Sequence, residues 1–317
     1  MIKRKDLKEY LISGAPVESV PCGFWMHFPE ESFYGEASIK AHMDYYEKTG
    51  VPLVKMMNEH FYQLGVEVKE PADWRNVKER DLADTPYPAF LEELRQFRER
   101  MGEDALILAT IHGVLVSACH ATDGPGHFTD PDNMITRHMK EDPESAAIGL
   151  QGIAHTLEKL CLACIEAGAD GIYYAALGGE EHRFSEEMFN RYVKPLEVEL
   201  LETVAQKGVV VLHICKDSPR LPMYRDYPCH VVNWAEHDSR YSLKDGAALF
   251  PGKRIIGAFD NRSGAMLSGT NEEMRREMER AVAEVGRDRI VIGADCTLPG
   301  TTGTERIRAA VELCKGL

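Results

Sequence analysis

Eight short apolar, β-branched runs recur along this chain with amphipathic stretches between them, and no other property restricts its fold so sharply. The runs are Pro21–Phe28, Leu53–Met57, Ala105–His112, Asp170–Ala175, Val209–Cys215, His230–Trp234, Arg254–Phe259 and Arg289–Ala294. Helical patterns cover Ser38–Lys48, Pro88–Met101, Pro143–Ala167, Glu186–Gln206, Glu272–Val285 and Gly303–Cys314, with shorter ones near Arg220 and Leu243. Several open on capping signals, such as Ser185 ahead of two glutamates. Eight strands alternating with helices predict an α/β fold: a single (β/α)8 TIM barrel with an N-terminal extension, one domain over residues 1–317. An open doubly wound sheet would carry a glycine-rich phosphate loop after its first strand. No G-x-G-x-x-G follows any run, and Gly124-Pro125-Gly126 reads as a turn. The polar stretch Glu67–Tyr87 is the expected excursion from the barrel.

With 317 residues, 44% of them hydrophobic, the chain can bury a large core without disulfides. Its 37 Lys and Arg against 51 Asp and Glu give a net charge of -14, which repels a phosphate backbone and argues against nucleic acid as a partner. No apolar run approaches the ~20 residues that cross a bilayer, and the charged N-terminus lacks an apolar signal core, so no membrane is expected. Eight cysteines scattered along such a chain read as reduced thiols of a cytoplasmic protein. Cys161 and Cys164 have C-x-x-C spacing but lie in an apolar helical stretch, where packing is the simpler role. Cys22, Cys119 and Cys314 read the same way, and Cys229 falls at the opposite end of its strand from any site.

In a barrel of this kind the site forms at the carboxyl ends of the strands. Those ends carry His27, Asn58 with Glu59, His112, Tyr173 with Tyr174, His213 with Cys215, Asn233, Asp260 and Cys296. Residues i and i+2 of a strand share a face, so His213 and Cys215 project together toward the mouth. Cys296 closes the eighth run and would meet them there. One imidazole and two thiolates form a soft donor set suited to tetrahedral Zn²⁺ with a fourth position open. The same spacing also arises by chance, with the thiols serving as small buried hydrophobes.

The strand ends resemble a known family. The segments AGADGIYYAALGGEEHRFSEEMFNRYVKPLE, VVVLHICKDSPRLPMY, YPCHVVNW, GKRIIGAFDNR and VIGADCTLPGTTGTERIRAAVE are similar to the uroporphyrinogen decarboxylase superfamily, and within it to the cobalamin-dependent methyltransferase branch. The resemblance is strongest after Pro143 and loose before Pro88. It implies an H-x-C pair and a later cysteine as zinc ligands, here His213, Cys215 and Cys296, acting as the catalytic group through the metal. It also implies a corrinoid (cobalamin) carried by a partner protein, and a small-molecule methyl donor or thiol acceptor. His27, Asn58, His112, Tyr174, Asn233 and Asp260 are the expected substrate-pocket residues.

The chain departs from the decarboxylase itself. VPCGFWMHFPEES has no arginine for tetrapyrrole carboxylates, Asn58 stands where an aspartate is expected, and Cys296 occupies the histidine region. A pocket without cationic clamps in an acidic protein disfavours an anionic tetrapyrrole. It departs from the methyltransferases at Lys216, which replaces a glycine, and at Asp295, where a small residue is usual. Two other readings fit the same fold. One is a metal-free lyase acting on a smaller acid through His112, Asp260 or Tyr174; the other is a non-catalytic accessory subunit of a corrinoid system.

Overall fold

The computed structural model describes residues 2–215 and 218–317, so Lys216 lies outside the described residues. Among them, seven strands form one parallel sheet in sequential order: β1 (Leu53–Met56), β2 (Leu106–His112), β3 (Gly171–Ala176), β4 (Val209–Ile214), β5 (Val231–Trp234), β6 (Arg254–Phe259) and β7 (Ile290–Ala294). Each is buried on both faces and followed by helical cover, which is why the runs are apolar throughout rather than alternating. Period-two alternation then divides the core. Val54, Met56, Ile107, Ile172, Val210 and Val232 pack outward under the helices, whereas Leu53, Leu108, Tyr173, Val209, Val211, Val231 and Val291 meet in an inner cluster.

The expected first strand is corrected. Residues 21–28 run extended beside β7 and make only isolated bridges, Cys22 with Ile292 and Met26 with Leu298. The Gly23 N–H donates to Ile292 (2.9 Å) and the Ile292 N–H to Pro21 (2.8 Å). Pro21 has no N–H of its own to give to a second neighbour, so no two-sided ladder forms there. Trp25 nevertheless joins the inner cluster with Leu53 of β1 and Val291 of β7, so this segment fills the gap between the sheet's two edges. The fold is barrel-like, with seven strands among the described residues.

The N-terminal extension contains a helix, Arg4–Ser13, that the sequence pattern did not reveal. Its Leu7, Tyr10 and Leu11 enter the inner cluster and plug the end opposite the strand C-termini. Asp170, buried at the start of β3, accepts from Arg4 Nε (2.9 Å), Arg98 Nη2 (2.8 Å) and the Ile107 N–H (3.0 Å), which ties this plug to the sheet.

Most expected helices occur within a few residues of their predicted bounds. The span Glu186–Gln206 is interrupted by a wider turn over Phe189–Val193. Pro195 cannot donate an N–H back along the helix, and the turn loosens just before it. Helix Pro143–Glu166 corrects the membrane argument: by length and composition it could cross a bilayer. Here Leu150, Ile153, Leu157 and Leu160 are buried in the protein's own core, as are Cys161 and Cys164. Burial pushes both of those thiols up, so they are packed as apolar groups. The stretch after residue 66 is no detached excursion, because Trp74 is fully buried and its indole donates to His138 Nδ1 (3.0 Å).

Candidate metal centre

Four strands align their inward positions at one level: His112 of β2 is paired with Ala175 of β3, Ala175 with His213 of β4, and His213 with Asn233 of β5. Cys215 lies one inward step above His213, and Cys296 follows β7 on the other side of the mouth. The result is a compact donor group. His213 Nε2 and Cys296 Sγ are 3.5 Å apart, and the donor atoms of His213, Cys215 and Cys296 all lie within 4.8 Å of one another.

The imidazole is held from behind. The Asn233 amide donates to the carbonyls of Ile256 and Ala294 (3.1 Å each), which turns its Oδ1 toward His213. That oxygen accepts from His213 Nδ1 (2.7 Å) and from the Tyr173 hydroxyl (2.9 Å). Nδ1 therefore carries the proton, and the Nε2 lone pair faces the two sulfurs. The Tyr173 ring stacks on His213 with centroids 5.2 Å apart. A hydrogen bond with Cys215 draws the Cys296 thiol well below its ordinary pKa, and His213 and the Thr297 N–H reinforce it. Three potential ligand atoms thus cluster within 4.8 Å of one another, an arrangement that can hold a metal cation once the thiols are deprotonated.

This group sits in the wall of a cavity of about 570 Å³ at the strand C-termini. His27 and His112 also line it, as expected. Glu59 accepts from His27 Nδ1 (2.7 Å). Burial drives His112 well below its normal pKa, and His120 down to about 4, so both are neutral at pH 7. With Phe61 and Phe128 they form an edge-to-face cluster on one side of the cavity. Gly124 and Gly126 both have φ near 90°, open only to glycine without strain, and the turn they make brings Pro125 and Phe128 over the cavity.

Four expected pocket residues lie elsewhere. Tyr174 points outward; its hydroxyl donates to Glu197 Oε1 (2.9 Å) beneath the helices. Tyr173 is the residue that faces the interior. Because β3 is apolar on both faces, the sequence offered no parity signal, and an error of one position reverses the face. Asn58 is consumed locally, its Oδ1 accepting from the His60 N–H (3.0 Å) and its amide donating to the Thr110 carbonyl (3.3 Å). Asp260 caps a turn, accepting from the Arg262 N–H (2.7 Å) and Ser263 Oγ (2.5 Å). Asn233 supports His213 rather than lining the cavity. Neither Tyr174 nor Asp260, two of the acid/base groups expected for a metal-free lyase, is among the residues that line the cavity.

Two charged features have placements that the sequence reading did not foresee. Lys55, third in β1, faces inward from an otherwise apolar run and lines the cavity. Burial lowers its pKa to about 8, against the opposing pull of Cys296, Glu59 and Cys215. Among the described residues, Lys55 is thus a cation of the cavity that the search for arginines did not find. Asp295 is fully buried and holds the His237 N–H (3.0 Å) and Nδ1 (2.9 Å); this contact raises the His237 pKa. Glu236 lies close enough to make a second donor group with them, but Arg280 occupies its carboxylate (2.9 Å). The loop residue Glu180 is also structural, accepting from the Gly178 N–H (2.6 Å) and Arg183 Nε (3.0 Å).

A parallel α/β barrel with a His-Cys-Cys donor group at its mouth defines a class of enzyme-like folds rather than one activity. The narrower assignment comes from the family: the uroporphyrinogen decarboxylase (URO-D) model matches residues 50–317, and the chain belongs to that family. No curated protein matches it. Among solved structures it is similar to a methyltransferase from Methanosarcina mazei, with a TM-score of 0.81 and 20% identity over 99% of this chain and 98% of that one. It is also similar to a B12-independent methionine synthase from Shewanella sp. W3-18-1 in complex with selenomethionine, with a TM-score of 0.57 and 15% identity over 94% and 95% of the two chains. At these identities the likeness is one of fold.

Proposed function

We propose that this protein is a zinc-dependent methyltransferase that moves a methyl group between a corrinoid carried by a partner protein and a small molecule such as a thiol. The observation that carries the reading is the donor group. Zinc–sulfur and zinc–nitrogen bonds of about 2.3 and 2.0–2.1 Å at a tetrahedral angle separate the two ligand atoms by about 3.6 Å. The 3.5 Å between Cys296 Sγ and His213 Nε2 fits that spacing. Methyltransferase chemistry is supported by the family and by the name of the similar Methanosarcina mazei protein.

Bound by His213, Cys215 and Cys296, zinc supplies Lewis acidity: it favours the thiolate of a thiol acceptor at neutral pH, or activates the heteroatom of a methyl donor. The chain's own groups do the rest. Asn233 fixes the imidazole tautomer, and the two cysteine sulfurs keep electron density high at the centre. Phe61, His112, His120 and Phe128 give one side of the cavity an aromatic, uncharged wall. The cavity lies at the strand C-termini, the face a corrinoid protein would approach.

The test is a metal assay with ligand variants, coupled to methyl transfer from free methylcobalamin to a panel of thiols. One zinc per chain, lost in Cys215→Ala and Cys296→Ala together with transfer, is the expected result. A protein that stays metal-free after zinc supplementation overturns the reading, and zinc and ligand binding without turnover would favour an accessory subunit.

A further inference from the structure

Lys55 is a buried ammonium with an unusual setting. Its Nζ lies 4.4 Å from the Tyr173 ring centroid and 5.4 Å from that of Trp25. Aromatic faces stabilise a cation without neutralising it. Two carboxylates also line the cavity, Glu30 and Glu59, and Glu59 is paired with His27 at 2.7 Å. Among the described residues no carboxylate forms an ion pair with Lys55. The cysteine thiolates are the other negative groups whose charge reaches it.

A buried ammonium with no carboxylate in direct contact is costly until an anion arrives. The rest of the wall is mainly apolar or neutral, with Phe33, Met57, Phe61, Val116 and Phe128. We propose that Lys55 is the specificity-determining residue of this cavity, and that the small molecule taken there carries an acid group seated on the ammonium. The proposal deepens the methyltransferase reading and rests on it for the small molecule whose class it names. It narrows the small molecule to an acid with a modest apolar body.

The experiment titrates the full-length protein with 3-mercaptopropionate and 3-mercaptopropan-1-ol, which have the same three-carbon backbone and differ in charge. Wild type, Lys55→Met, Lys55→Arg and Cys215→Ala/Cys296→Ala are compared by calorimetry, with circular dichroism as the check on folding. Wild type should prefer the acid by about 10- to 100-fold, the range expected for a hydrogen bond to a charged group in a partly dry site. Lys55→Met should lose that preference while binding the alcohol as before, and Lys55→Arg should retain it. Equal affinity for the two thiols in the wild type, or no binding of the acid, overturns the proposal. So does a Lys55→Met protein that loses zinc yet still prefers the acid, since Lys55 would then serve the thiolates. If the wild type holds no zinc but prefers the acid in a Lys55-dependent way, the metal reading fails and the clamp stands. In the cysteine double variant, acid preference should persist at lower overall affinity.

Discussion

Replacing Asn233 with alanine tests whether the support behind His213 governs the donor group. The wild-type side chain is fully buried and makes four hydrogen bonds: two accepted at Oδ1, from His213 Nδ1 at 2.7 Å and Tyr173 at 2.9 Å, and two donated at 3.1 Å to carbonyls. Alanine leaves two buried donors unsatisfied, at about 1–3 kcal/mol each, so stability should fall by about 2–6 kcal/mol. It also frees the imidazole to carry its proton on Nε2, where a metal would bind. Loss of such a supporting partner weakens metal binding by about 10- to 100-fold, or about 1.4–2.7 kcal/mol. Zinc affinity is measured by competition with a chromophoric chelator on protein shown to be folded by near-UV circular dichroism. Tyr173→Phe removes one donor and leaves the His213 bond, so it should weaken binding by no more than a few-fold. A folded Asn233→Ala protein with wild-type zinc affinity would refute the reasoning.

Three further outcomes follow from the same coordinates. Burial pushes the Glu197 carboxyl up to about 7, even though Tyr174 and Tyr227 donate to it. A folded pKa above the ordinary 4.5 means the carboxyl's contribution is complete below that pH and lost as pH rises through 7, a change of about 3 kcal/mol. Glu197→Gln should therefore be more stable than wild type at pH 8, with the gap shrinking toward pH 4.5 in urea titrations; a gap independent of pH would count against it. Asp170→Asn should cost about 3–5 kcal/mol, because Arg4 and Arg98 lose their shared buried anion. Limited proteolysis should then find the Arg4–Ser13 plug first, and an unchanged digestion pattern would contradict this. Finally, Tyr174→Phe should lower stability by about 1–2 kcal/mol without changing zinc affinity, since its hydroxyl lies outside the barrel interior.

Much of the donor group was legible because it depends on local rules. In a strand, His213 and Cys215 share a face whatever surrounds them, and the end of a barrel strand is where a site forms. The pocket around it was less legible. Tyr173 and Tyr174 are chemically equivalent neighbours in a run buried on both sides, so only packing against Trp25 and His213 shows which one faces inward. Lys55 was hidden for the opposite reason: a lysine in an apolar run looks like an interruption until the curvature of the sheet places it in a cavity. Asn58 and Asp260 sit at strand ends yet satisfy nearby backbone groups, an alternative open to any short polar side chain at a turn.

The sequence by itself determined the alternation of strands and helices, the parallel class of the sheet and the shared face of His213 and Cys215. These follow from periodicity and chain order, which act over a few residues at a time. Only the tertiary structure decided that Pro21–Phe28 fills a gap without becoming a two-sided strand, that Asn233 stands behind His213, and that an ammonium lies in the cavity. Each depends on which side chains meet across strands far apart in sequence. Closing the sheet around one interior brings those distant charges and hydrogen-bonding groups within reach of one another.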